Sequence, residues 1–139
     1  MSYVLLLTAD KPLPLCDQSA VRETVSGKYS VSFACGFTVE EHTYYRKATD
    51  ELGYPFKQFQ YELDLCNDEA DLCHLKGYLA ENFNSGETVD LWNVCISDIE
   101  DRRCPPCRKG MLAEFDMDIM GILTQIKEYG DECWLSVTV

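Results

Sequence analysis

Phe59, Tyr61, Leu63 and Leu65 alternate with Gln60, Glu62 and Asp64, the period of a strand with one covered face. Leu72, Leu75, Leu79 and Phe83 then recur at helical spacing. A second alternating run, Thr88 to Ile96, follows the turn at Asn84-Ser85-Gly86. Bulk on both of its faces marks it as a central strand. The stretch from Phe59 to Ile96 thus reads as strand, helix, strand, and the remaining elements are expected to pack around it.

Tyr3 to Thr8 is a β-rich run, and Asp10 to Asp17, with Pro12 and Pro14, reads as an irregular connection. Val21–Val25 and Tyr29–Phe33 flank Ser26-Gly27 as a hairpin. Thr38 with Glu41 three residues later has the form of a capping box. Val39, His42, Tyr45, Ala48 and Leu52 follow at helical spacing, so a first helix is expected to run to Gly53 and to stop before Pro55. The second helix is expected to start at Asn67 or Asp68. Ser97–Gly110 breaks periodicity and reads as a charged surface loop. A third helix is expected from about Leu112 to Tyr129, with Asp116 and Asp118 allowing a later start near residue 117 and Gly130 as its stop. Cys133, Leu135, Val137 and Val139 alternate as a final strand.

This order predicts one compact α+β domain over residues 1–139, with α/β as the neighbouring class. The expected architecture is a two-layer sandwich: a mixed sheet of four or five strands with three helices mainly on one face. The polar face of the Phe56–Leu65 strand, Gln58, Gln60, Glu62 and Asp64, is expected to meet water.

Charge narrows the function classes. The chain has 24 acidic against 12 basic residues, a formal net charge of −12. Such a surface repels nucleic acid and anionic lipid, so neither is expected as a partner, and a basic protein fits better. No apolar run approaches a membrane span, and Val4–Leu7 reads as a strand rather than a signal segment. A cytoplasmic setting is the expectation, in which most of the eight cysteines stay reduced.

The sharpest local motif is Cys104-Pro105-Pro106-Cys107, flanked by Arg102, Arg103, Arg108 and Lys109. Two thiols at this spacing suit one metal ion or one reversible disulfide. Nearby cations would favour a thiolate. A zinc cluster would need further ligands. Cys95 and Cys66 become available if their strands run parallel and adjacent. A thioredoxin-like redox site would instead need Cys104 at a helix N-terminus.

His42 falls on the inner face expected for the first helix, where a packed histidine is the simpler reading, and a general base would need an acid beside it. His74 falls opposite the Leu72/Leu75 face, as a solvated histidine. The densest acid run, Glu62, Asp64, Asp68, Glu69 and Asp71, is the candidate interaction surface for a basic protein. Dinucleotide, phosphate-loop, zincin and serine-elbow motifs are absent from the sequence. Tyr44, Tyr54, Tyr78 and Trp92 are candidates for an interface or for the rim of the core.

The leading expectation is therefore a small acidic cytoplasmic interaction or regulatory domain without catalysis, with homodimerisation through a sheet edge or aromatic patch as one form of partnership. A zinc-stabilised domain using Cys104 and Cys107 with Cys66 and Cys95 is the first alternative. A thiol–disulfide redox protein using Cys104 and Cys107 is the second.

Overall fold

The computed structural model of the chain describes residues 3–97, 101–124 and 132–139, and gives the backbone alone at 22, 24, 26 and 33–35. It is mixed α+β, with strands β1 (Tyr3–Ala9), β2 (Cys16–Asp17), β3 (Ala20–Ser26), β4 (Tyr29–Cys35), β5 (Thr38–Glu41), β6 (Phe59–Asp64), β7 (Thr88–Cys95), β8 (Cys107–Met111) and β9 (Cys133–Thr138). The helices are α1 (Arg46–Asp50), α2 (Glu69–Asn82) and α3, described over Met117–Thr124. Seven strands form one sheet in the order β2-β5-β6-β1-β7-β9-β8, and β3–β4 is a separate hairpin. Every pair in the sheet is antiparallel except β8 with β9.

The sheet is larger than the expected four or five strands: β2, β5 and β8 are added to it, β2 at the end of the stretch expected to be an irregular connection. The Thr38–Glu41 stretch, expected to open a helix, is strand β5, paired with β2 on one side and β6 on the other. Phe37 and Val39 are buried while Glu40 is exposed, so the period there is two. Ladder pairing on both sides outweighs a local capping signal, and the helix is confined to Arg46–Asp50. Strand β8 takes up the end of the Ser97–Gly110 stretch expected to be irregular and runs on to Met111, and its charged residues hide its strand character.

Strands β1 and β7 are covered on both faces, which explains their nearly continuous apolar sequence. On one face, Leu7, Tyr61, Leu63, Leu91 and Leu135 pack with Leu75, Tyr78 and Leu79 of α2 and Met120 and Leu123 of α3. On the other, Val4, Leu6, Trp92 and Val94 are covered by Tyr45, Leu52, Tyr54 and Phe56 from the segment that carries α1. Helices α2 and α3 thus share a face, and α1 accompanies a smaller, aromatic core opposite. Trp92 stacks on Trp134 with ring centroids 4.4 Å apart and 13° between planes, and Phe56 meets it edge-on at 4.7 Å.

The helix starts follow their carboxylates. Asp68 is extended and accepts a hydrogen bond from the Asp71 N–H at 2.9 Å, capping α2. Asp116 accepts from the Ile119 N–H at 3.0 Å, which fixes the start of α3 at the later of the two expected places. Residues 125–131, including the expected stop at Gly130, lie outside the described residues.

Candidate functional site

Antiparallel register sets directly opposed side chains on the same face of a sheet. Asp17 opposes Thr38, Thr38 opposes Asp64, and Glu40 opposes Glu62 across β2, β5 and β6. Glu62 in turn opposes Leu6 of β1, so these acids share the face of the aromatic core. A pocket of about 370 Å³ opens there, lined by Asp17, Glu40, Glu62 and Asp64, with Tyr3 and Tyr45 among its walls. Among the described residues that line it there is no Lys, Arg or His.

The four carboxylates are not equivalent. Asp17 accepts from the Ser19 hydroxyl at 2.6 Å and the Ser19 N–H at 2.9 Å, and these bonds hold its carboxyl below the usual range. Glu62 is three-quarters covered; burial, with Glu40 opposite, pushes its carboxyl above the usual range. The water expected over this face of β6 is therefore partly excluded.

His42 follows β5 and faces Glu62. Its side chain is fully buried, with Nε2 2.7 Å from Thr49 Oγ1 and Nδ1 3.6 Å from Glu62 Oε1. The Thr49 hydroxyl donates to the Arg46 carbonyl at 3.1 Å, which assigns the Nε2 proton to the bond with Thr49. Nδ1 and Glu62 Oε1 are both buried without a hydrogen-bond partner among the described residues. Burial, followed by Arg46, lowers the His42 pKa. The acid that a catalytic histidine would need is thus present, but the imidazole itself is sealed from solvent.

The sequence-designated acids divide into two groups. Glu62 and Asp64 line the pocket. Asp68, Glu69 and Asp71 lie at the start of α2, where Asp68 is the cap and Asp71 is buried, accepting from the Cys66 N–H at 2.6 Å and facing His74 Nδ1 at 3.2 Å. His74 is accordingly paired rather than merely solvated. Cys66, Asp68 and Asp71 each bring a ligand atom within 4.8 Å of one another. Cys66 is disulfide-bonded, so its sulfur lacks the thiolate charge that a zinc ligand supplies, and the two carboxylates serve the helix start.

The strand order keeps the four cysteines of the expected zinc cluster apart. The strands ending near Cys66 and Cys95 do run in the same direction, but β1 lies between them. Cys107 starts β8, four strand spacings from β6, or roughly 19 Å. Cys95 is buried in β7, and Cys104 is exposed. The redox context differs too, because Cys107 opens a strand and no helix begins at Cys104. Burial, Glu132 and Cys107 push the Cys104 thiol up, and burial and Asp90 do the same to Cys107. Arg102, expected to favour a thiolate, is instead bound to Glu132 Oε2 at 2.9 Å and to the Ser97 carbonyl at 2.5 Å.

Of the candidate interface aromatics, Tyr78 and Trp92 are buried and Tyr54 stacks on Trp92, its hydroxyl bonded to Glu132; Tyr44 is exposed. Asp17, Glu40, Tyr3 and Tyr45 are the pocket residues that sequence reasoning missed. The alternation of Phe37 and Val39 with Thr38 and Glu40 is the signal that would have found Glu40 as a strand residue beside Glu62. Comparison of the chain with protein-family models, curated proteins and solved structures returns no match.

Proposed function

We propose that this chain is a small acidic interaction domain, without catalytic chemistry of its own, whose pocket between β1, β2, β5 and β6 receives a basic segment of a protein partner. The observation that carries this reading is the direct opposition of Glu40 and Glu62 inside a pocket that also holds Asp17 and Asp64. Like charges directly opposed across strands destabilise a sheet, and a cation from outside offsets the repulsion. A cytoplasmic setting belongs to the same reading: among the described residues Cys16, Cys73, Cys95, Cys104, Cys107 and Cys133 are free thiols, which suit it, while the disulfide at Cys66 counts against it. A second copy of the chain is a further partner within it, since β8 leaves one sheet edge unpaired among the described residues and the hairpin exposes Val21 and Tyr29.

Calorimetric titration with an oligoarginine peptide at low salt tests the reading. Binding is expected, with a loss of about tenfold or more in the Glu40→Gln/Asp64→Asn double variant. A control double variant, Glu69→Gln/Glu81→Gln, removes the same charge from exposed helix positions and should bind nearly as the parent does. Equal losses in the two variants would reduce the effect to net charge and sink the pocket as a site.

A further inference from the structure

We infer that His42 and Glu62 hold a single proton between them, and that a guanidinium entering the pocket expels this proton to solvent. The inference rests on the reading of the pocket as a cation site and names both its ligand class and its regulation.

The geometry points to a shared proton because of what each atom lacks. Nε2 of His42 is committed to Thr49, so in the neutral ring Nδ1 presents a lone pair. That lone pair faces Glu62 Oε1 across 3.6 Å, and neither atom has another hydrogen-bond partner among the described residues. Without a proton the two face each other as acceptors. A proton on Nδ1 makes the contact an ion pair, and a proton on Oε1 sets a neutral O–H toward the imidazole lone pair; either removes the opposition of two acceptors. Their 3.6 Å approach, with both atoms buried, is what makes one proton serve both; burial separately lowers the histidine and raises the glutamate. The other charges on the pair come from Arg46 and Asp50 of α1, acting on His42 in opposite senses, and from Glu40 of β5, acting on Glu62. From β1 the residue opposite Glu62 is the uncharged Leu6.

With the proton, the pair is neutral overall; without it, the pair carries one negative charge. Glu62 also lines the pocket, so the charge at the pocket wall follows the proton. A cation in the pocket stabilises the deprotonated pair, and Nδ1 or Oε1 gives up its proton to water. By linkage, the same cation binds more tightly as pH rises through the pair's midpoint. Tyr3 and Tyr45 in the walls, beside the opposed carboxylates of Glu40 and Glu62, suit a planar guanidinium, which stacks on rings and takes carboxylates in a fork.

Two measurements on the intact chain test this. Nitrogen-15 NMR of the imidazoles follows His42 in the free protein, where Glu62→Gln should lower the His42 midpoint by about one pH unit or more, because the anion that favours the protonated ring is gone. An unchanged midpoint would overturn the shared proton. Calorimetry with oligoarginine in buffers of different ionisation enthalpy then counts protons. Release of up to one proton is expected, with affinity rising by up to about tenfold per pH unit across the midpoint and both effects absent in Glu62→Gln. Binding without proton release overturns this inference alone. No binding at any pH overturns it together with the cation-site reading.

Discussion

Trp134 donates its indole N–H to Asp90 at 3.1 Å, joining the stacked tryptophan pair to a buried carboxylate on the neighbouring strand. Burial is the main influence on Asp90 and raises its pKa, despite the hydrogen bonds from Trp134 and Ser136. An acid whose folded pKa is raised favours the fold most when protonated. Its contribution is fully present below the usual carboxylate range and is lost as pH rises through the folded value. Asp90→Asn keeps an oxygen for Trp134 and removes the charge. It should raise the neutral-pH stability by about 1 kcal/mol, with the gain vanishing at acid pH. Urea unfolding of both proteins across that range checks this, and a gain that persists at acid pH would be the wrong result.

The raised thiols at Cys104 and Cys107 have a kinetic counterpart. Thiolate is the reactive form, and burial together with Glu132 or Asp90 disfavours it here. Cys104 should alkylate with iodoacetamide at neutral pH no faster than a simple free thiol, and speed up only as pH rises past the usual thiol range. Mass spectrometry of the labelled peptide reads this directly. Rapid labelling at neutral pH would restore the redox alternative.

Gly36 sits at the base of the hairpin and at the edge of the acidic pocket with φ of +142°. A Cβ there would stand 2.9 Å from the Ser19 Cα, a backbone atom that yields only if the loop moves. Gly36→Ala should therefore cost about 1–3 kcal/mol and displace Ser19, whose two bonds hold Asp17. Thermal unfolding gives the first effect and weakened oligoarginine binding the second. A variant as stable as the parent would mean that the turn tolerates a side chain.

Elements with one dominant period were legible in the sequence. The runs that became β6 and β9 alternate, those that became β1 and β7 are β-rich with bulk for both faces, and α2 shows both its apolar spacing and its Asp68 cap. Where two local signals competed, the losing one was the more conspicuous. The Thr38/Glu41 box looked like a helix start, but pairing with both β2 and β6 made it a strand, and those partners lie far away in the chain. The same misreading concealed half the candidate site, because a helical Glu40 has no reason to face Glu62. Cys104-Pro105-Pro106-Cys107 drew attention by its spacing, yet strand order, invisible to any local pattern, set Cys66 several strands away.

The position of β9 between β7 and β8 governs how the chain can be assembled as it is made. Strand β8 emerges from the ribosome before β9, its one neighbour among the described residues, exists, because the strand that will separate it from β7 is encoded after it. Until residues 133–138 appear, the edge of β7 carrying Val89, Leu91 and Trp92 stays unpaired, and the charged β8 has nothing to join. A nascent chain stalled before that point would hold a growing sheet with an open apolar seam, the kind of surface that chaperones bind and that aggregates when they do not.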